Sequence, residues 1–261
     1  MHRFTLIALA ALAAGCSSTP VLQSAPAAPP PAVDGSESDW VGALQPVEGH
    51  TGVALGVRED RDALYVVAVL RGERQVRSAL AGGLTLWLDP AGGKDRALGL
   101  RYPVGLGARG RTGASLGGDG EPDAVRERFT EATRDLEVLR DGAETGARTP
   151  AAGSTGLQAA ATLDAGVLVV EYRVPRGTGA NGLGLSGDVV GLGLVTPEGT
   201  RPEGTRPEGA ARGGQGGRGG RGGGAGRGGQ GGGRPEGGRA ERPEPLDVWV
   251  RVELAAAEGR R

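Results

Sequence analysis

Across residues 33–196 apolar and polar positions alternate in short runs, the period of half-buried β-strands. Val53, Leu55 and Val57 alternate, and so do Leu84, Leu86 and Leu88 around Thr85 and Trp87. Leu64 to Leu70 is apolar throughout, as a central strand covered on both faces would be. Further strands are expected at Leu98 to Tyr102, Leu136 to Leu139, Leu157 to Leu163, Val167 to Val174 and Val189 to Val195. Turn residues separate them, among them Glu59-Asp60-Arg61-Asp62, Asp89-Pro90-Ala91-Gly92-Gly93, Asp164-Ala165-Gly166 and Pro175-Arg176-Gly177. Many short strands at this spacing predict an all-β fold, an antiparallel β-sandwich of immunoglobulin or jelly-roll type. One short helix is expected, Pro122 to Arg134, with proline at its start, Asp123 in its first turn and Val125, Phe129 and Ala132 on one stripe.

The pattern breaks at residues 197–243, where Pro-Glu-Gly-Thr-Arg repeats give way to Arg-Gly-Gly repeats with no apolar residue larger than alanine. Such a composition cannot offset the entropy of ordering and predicts disorder. Residues 244–261 then hold a clean alternating strand, Leu246 to Leu254. A strand this regular needs a sheet, and the sheet lies upstream, so the glycine tract reads as a long loop inserted before the last strand. Closing so long a loop instead of a tight turn costs only about 2 kcal/mol, because the penalty grows with the logarithm of length.

At the amino terminus His2 and Arg3 precede an uncharged apolar run from Phe4 to Ala14, a signal-peptide core too short to span a bilayer. Leu12-Ala13-Ala14-Gly15-Cys16-Ser17 resembles the lipobox of bacterial lipoproteins, which implies that residues 1–15 are removed and that Cys16 is lipidated. Cys16 is the single cysteine, so no internal disulfide can form, and lipidation accounts for a lone cysteine at this place. The expected address is outside the cytoplasm, anchored by lipid, with Ser17 pointing to the outer membrane. Residues 16–32 are rich in proline and alanine and read as an extended tether.

Charge alters this picture little. Formal net charge is −1, and of 30 Lys and Arg residues only Lys94 is lysine. With 52 glycines, Gly182-Leu183-Gly184-Leu185-Ser186-Gly187 matches a dinucleotide motif by chance, since a strand follows it where a helix is required. The Arg-Gly-Gly tract lacks interleaved aromatic residues, and its arginines are partly balanced by Glu203, Glu208, Glu236 and Glu241, so nucleic acid is not the expected partner.

Val33-Asp34-Gly35-Ser36-Glu37-Ser38-Asp39-Trp40, then Asp60, Asp62, Leu64 and Tyr65, then Gly83 to Pro90, Gly99, Tyr102-Pro103 and Glu171-Tyr172-Arg173-Val174-Pro175 together resemble the carbohydrate-binding module family 9-like β-sandwich. The resemblance implies a sandwich without catalysis of its own, with the Asp-Gly and Trp near its start in a characteristic opening turn and strand. It also implies a use in sugar binding or as a domain of envelope proteins, the sugar being clamped between two aromatic side chains.

Trp87 and Trp249 are the candidate ligand-binding residues. Strand parity puts both on the more polar face, either free to stack on a sugar or, the weightier reading given so few aromatics, covered by another segment. Asp60, Asp62 and Asp89 could ligate calcium, although aspartates at strand ends more often simply form turns. No other cofactor is expected. Catalysis has little to work with, because His50 is the one histidine after the leader and sits in a Gly-His-Thr-Gly turn. The functional expectation is a lipid-anchored binding module, with glycan as its ligand. The alternative is a structural lipoprotein that docks another envelope protein through its sheet edges and cationic loop.

Overall fold

A computed structural model describes residues 19–105, 122–153, 156–178, 184, 187–197 and 245–255. The leader with Cys16, the glycine tract beyond Pro197 and most of the Gly182–Gly187 run lie outside the described residues.

The strands are β1 (Val21–Gln23), β2 (Ala25–Pro26), β3 (Leu44–Pro46), β4 (Val53–Glu59), β5 (Ala63–Leu70), β6 (Thr85–Asp89), β7 (Leu98–Arg101), β8 (Asp135–Arg140), β9 (Ala147–Pro150), β10 (Gln158–Asp164), β11 (Val167–Pro175), β12 (Val189–Val195) and β13 (Asp247–Glu253). Among the described residues they form two sheets. One runs β1-β13-β12-β6-β7-β8-β9 and the other β10-β11-β5-β4-β2, with β3 also paired to β4. Leu86, Leu88, Leu98, Leu100, Leu192 and Val250 of the first sheet meet Leu55, Leu64, Val66, Leu168 and Val170 of the second in one core. This is the all-β sandwich that the alternating pattern predicts.

β5 is buried along its whole length for two reasons. Leu64, Val66, Ala68 and Leu70 face the main core, while Ala63, Tyr65, Val67 and Val69 lie beneath a cover made by Ala27, Trp40 and Ala43. The uninterrupted apolar run of β5 therefore reports two covered faces.

The last strand returns to the sheet, as expected. β13 pairs antiparallel with β12 over the full register from Val189↔Glu253 to Val195↔Asp247. Thr196 closes the neck between the two strands. Its N–H donates to the Leu246 carbonyl at 2.9 Å, its Oγ1 accepts the Leu246 N–H at 2.8 Å, and the Ser78 hydroxyl lies 3.0 Å away.

Two expectations need correction. The helix Pro122–Ala132 (α2) is present, but a further helix, α1, spans Glu73–Gly82 and packs Val76, Ala79 and Leu80 into the core. Its apolar residues stand at i, i+3 and i+4, and Gly83 ends it at φ +91°.

The second correction concerns the tether, because the sandwich begins at Pro20 and not at Val33. β1 adds to β13 in parallel, β2 adds to β4 in parallel, and Leu22 is buried in the core. Ser24 makes the crossing between the sheets. Its N–H donates to the Glu253 carbonyl at 3.0 Å, its hydroxyl donates to Glu59 Oε1 at 2.8 Å, and its Oγ accepts the Ala255 N–H at 2.7 Å. Glu59 is in turn ion-paired with Arg176. The backbone hydrogen bonds of both edges hold an extended Pro/Ala-rich segment that has no core-forming pattern of its own. Among the described residues no helix is long and apolar enough to cross a membrane.

Candidate functional site

The outer face of the seven-stranded sheet carries both candidate tryptophans on one row. Gly193 of β12 stands opposite Trp249 on one side and Trp87 on the other, and Trp87 stands opposite Gly99. Each indole lies flat on a glycine of the next strand. A Cβ placed on Gly193 would meet three atoms of the Trp249 ring at 2.6–2.7 Å, and one on Gly99 would meet the Trp87 ring at 2.7–2.9 Å. Glycine inside a strand here marks the seat of a ring.

Strand parity thus holds for both residues, but their surroundings differ. Trp87 is 3% exposed, and the Arg96 guanidinium lies over its ring at 5.7 Å from the centroid. Around it Thr85, Asp89, Glu137 and Leu139 are also buried. Arg101 bridges this buried polar row, with Nη1 2.9 Å from Glu137 and Nε donating to Thr85 Oγ1 at 3.3 Å. Trp249, on the other side of Gly193, keeps part of its surface in solvent, with Asp247, Arg251 and Glu253 exposed along the same strand. The geometry does not form a clamp of two tryptophans, because Trp87 is closed off by Arg96.

Asp60 and Asp89 act as turn formers. Asp60 Oδ1 accepts the N–H groups of Asp62 and Ala63, each at 2.8 Å, and the Tyr65 hydroxyl donates to Oδ2 at 3.1 Å. Asp62 is exposed in the same turn. Asp89, at the end of β6 in the other sheet, accepts the Ala91 N–H at 2.9 Å and the Asp95 N–H at 3.0 Å. Among the described residues no group of three His, Cys, Asp or Glu side chains is placed to hold a metal ion. His50 sits in the tight turn between Val47 and Val53, bonded through its backbone to both.

A buried carboxylate stands apart from these. Glu171 of β11 is 1% exposed and accepts the Trp40 indole N–H at 2.5 Å, the Gly35 N–H at 2.5 Å and the Asp34 N–H at 2.8 Å. Burial pushes its pKa up, while these donors pull it the other way. The buried tyrosines are likewise committed. Tyr172 donates to the Tyr102 carbonyl at 2.8 Å, and Tyr102, pushed up to about 12 by burial, donates to the Thr133 carbonyl at 3.0 Å. These groups join elements of the fold.

The ring seats at Gly193 and Gly99, the Arg96 cover and the Glu171 cradle were not foreseen from the sequence. Glycine at the centre of an otherwise apolar strand was the available signal, and a composition so rich in glycine obscures it.

Two solved structures of a carbohydrate-binding module family 9 (CBM9) from Caldicellulosiruptor kristjanssonii are similar to this chain. The complex with glucose is 13% identical, with 68% of this chain and 78% of that chain covered and a TM-score of 0.35. The complex with cellotriose is 14% identical, with 69% and 77% covered and a TM-score of 0.35. No family model matches the chain, and no curated protein matches it.

Proposed function

We propose that this chain is a lipid-anchored protein of the cell envelope whose sandwich, without catalysis of its own, binds a saccharide on the outer face of its seven-stranded sheet, at Trp249. The observation that carries the reading is the indole of Trp249 lying flat on Gly193 and only partly covered. A ring held from below offers its outer face as a platform, and a flat apolar surface beside charged groups suits the C–H face and hydroxyls of a sugar. Exposed Asp247 and Arg251, two residues away on either side, supply an acceptor and a donor. The anchor is supported by Cys16 at the end of a signal-like run.

The alternative, docking of another envelope protein through sheet edges, would use the outer strands β9 and β10, and no further observation favours it. The test is a thermal-shift panel of cell-wall and envelope oligosaccharides on the Cys16→Ala chain made without its first fifteen residues. At least one saccharide raises Tm, and Trp249→Ala abolishes the rise. Silence across the panel, or a shift that survives Trp249→Ala, counts against the proposal. Metabolic labelling with palmitate, lost in Cys16→Ala of the full chain, tests the anchor separately.

A further inference from the structure

We infer that the saccharide taken at Trp249 is the anionic head of a membrane glycolipid and not a free polymer, an inference that rests on the anchor and saccharide readings above. The argument starts from the point at which the chain joins the fold. The Arg251 N–H donates to the Pro20 carbonyl at 2.8 Å, so the sandwich grips the chain four residues after Cys16. Four residues reach at most about 14 Å when fully extended. A lipid on Cys16 therefore holds this edge of the domain at the headgroups, where a free tether would have let it stand away.

Direction adds to proximity. β1 runs parallel to β13 with Val21 opposite Arg251, so the residues before Val21 come from the Trp249 side of the strand. Strand rise and spacing then leave the Trp249 backbone within about 25 Å of Cys16.

The surface at that corner has the chemistry of an interface. Val21 is 52% exposed, one of two large apolar side chains so exposed among the described residues, and it shares the outer face with Trp249 and Arg251. Arg251 is exposed and makes no ion pair among the described residues. Glu253, the next residue on that face, accepts from Gln23 Nε2 at 2.7 Å on the side of Arg251 away from Trp249, and Asp247 lies beyond Trp249, so Arg251 is the charged group of β13 between the ring and Glu253. Arg251 is the cation that receives the anionic group, with the sugar ring on Trp249 and the acyl boundary against Val21. Tryptophan and arginine at headgroup depth, with an aliphatic side chain beside them, are what a lipid interface selects.

The test uses the Cys16→Ala chain without its first fifteen residues, so that the anchor cannot mask binding by the face. Co-sedimentation is measured with vesicles of phosphatidylethanolamine alone, with phosphatidylglycerol added, and with lipopolysaccharide added. The oligosaccharide released from the same lipopolysaccharide is titrated in solution. Lipopolysaccharide vesicles are expected to bind at least about tenfold more tightly than either phospholipid vesicle or the released oligosaccharide. Trp249→Ala and Arg251→Gln each remove about tenfold of that, with unchanged circular dichroism. Equal binding to phosphatidylglycerol vesicles would overturn the inference in favour of plain charge attraction. Equal binding to the released oligosaccharide would overturn it while leaving the saccharide site standing. Binding to neither glycolipid nor oligosaccharide would remove both.

Discussion

Trp40 donates its indole N–H to Glu171 Oε1 at 2.5 Å, joining the opening segment of the domain to the middle of β11. Both residues are 1% exposed, and the contact pins the cover over the outer face of β5. Gly35 completes the cradle at φ +81°, where an added Cβ would meet Thr162 Oγ1 at 2.6 Å. The Asp-Gly and Trp of the opening segment thus converge on one buried carboxylate.

That carboxylate makes stability depend on pH. Burial raises the pKa of Glu171 in the folded protein, so the folded state holds the proton more tightly than the unfolded chain. The associated stability is fully present below the ordinary carboxylate value of 4.5 and is lost as pH rises through the raised value. Urea midpoints measured across this range should show wild type losing stability relative to Glu171→Gln as pH increases. The glutamine variant itself is offset by about 1–3 kcal/mol, because its amide turns N–H toward N–H donors. A pH-independent difference would mean that the three donors balance burial, and a wild type that gains on the variant as pH rises would mean that they outweigh it.

The seats beneath the tryptophans predict a different signature. Gly193→Ala places a methyl group inside the Trp249 ring and should lift that indole from the sheet, costing about 1–3 kcal/mol through overpacking. Tryptophan emission should shift to the red, and saccharide binding should fall with it. Gly99→Ala strikes the buried Trp87 and should destabilise by at least as much without weakening the ligand. Equal loss of binding in the two variants would show that the face responds as a whole and not at Trp249.

Alternation and apolar runs located the strands from Val53 to Val195 except β9, whose Ala147-Arg148-Thr149-Pro150 carries no apolar pattern, and the regularity of Leu246 to Leu254 was enough to bring the last one back to its sheet. These signals are local: each strand shows its buried face in its own sequence. What escaped depends on partners far away in the chain. Val21 finds Arg251, and nothing near Val21 announces it. Trp40 finds Glu171 in the same way. Parity placed Trp87 and Trp249 on the correct face, but their exposure was set by Arg96 over one ring and by the open corner at the other. Helix α1 had its i, i+3, i+4 residues and its terminal Gly83 in view, but it starts at Gly72 without a side-chain cap and without the opening proline that marks α2.

Because the Pro/Ala-rich segment is part of the sandwich, changes within it should destabilise the domain. Leu22→Ala removes a side chain 5% exposed in the main core and should cost about 2–4 kcal/mol. Ser24→Ala strands the Ala255 N–H and takes one partner from Glu59, for about 1–3 kcal/mol. Chemical denaturation reads both, and a segment behaving as a free tether would leave the midpoint unchanged.

The neck at Thr196 decides what the glycine tract does for stability. Its hydrogen bonds with Leu246 hold the ends of β12 and β13 at pairing distance, whatever lies between them in sequence. Replacing residues 198–244 by a short Gly-Ser turn should therefore keep the fold and add no more than about 2 kcal/mol, the closure entropy of the longer loop. Thr196→Val should act in the opposite sense. It leaves the Leu246 N–H and the Ser78 hydroxyl without their partner in a buried site and costs about 1–3 kcal/mol. The two changes should add in a double variant if the neck closes independently of the tract, as judged by unfolding free energies. A shortened chain that loses stability would instead assign the tract a structural contact with the sandwich.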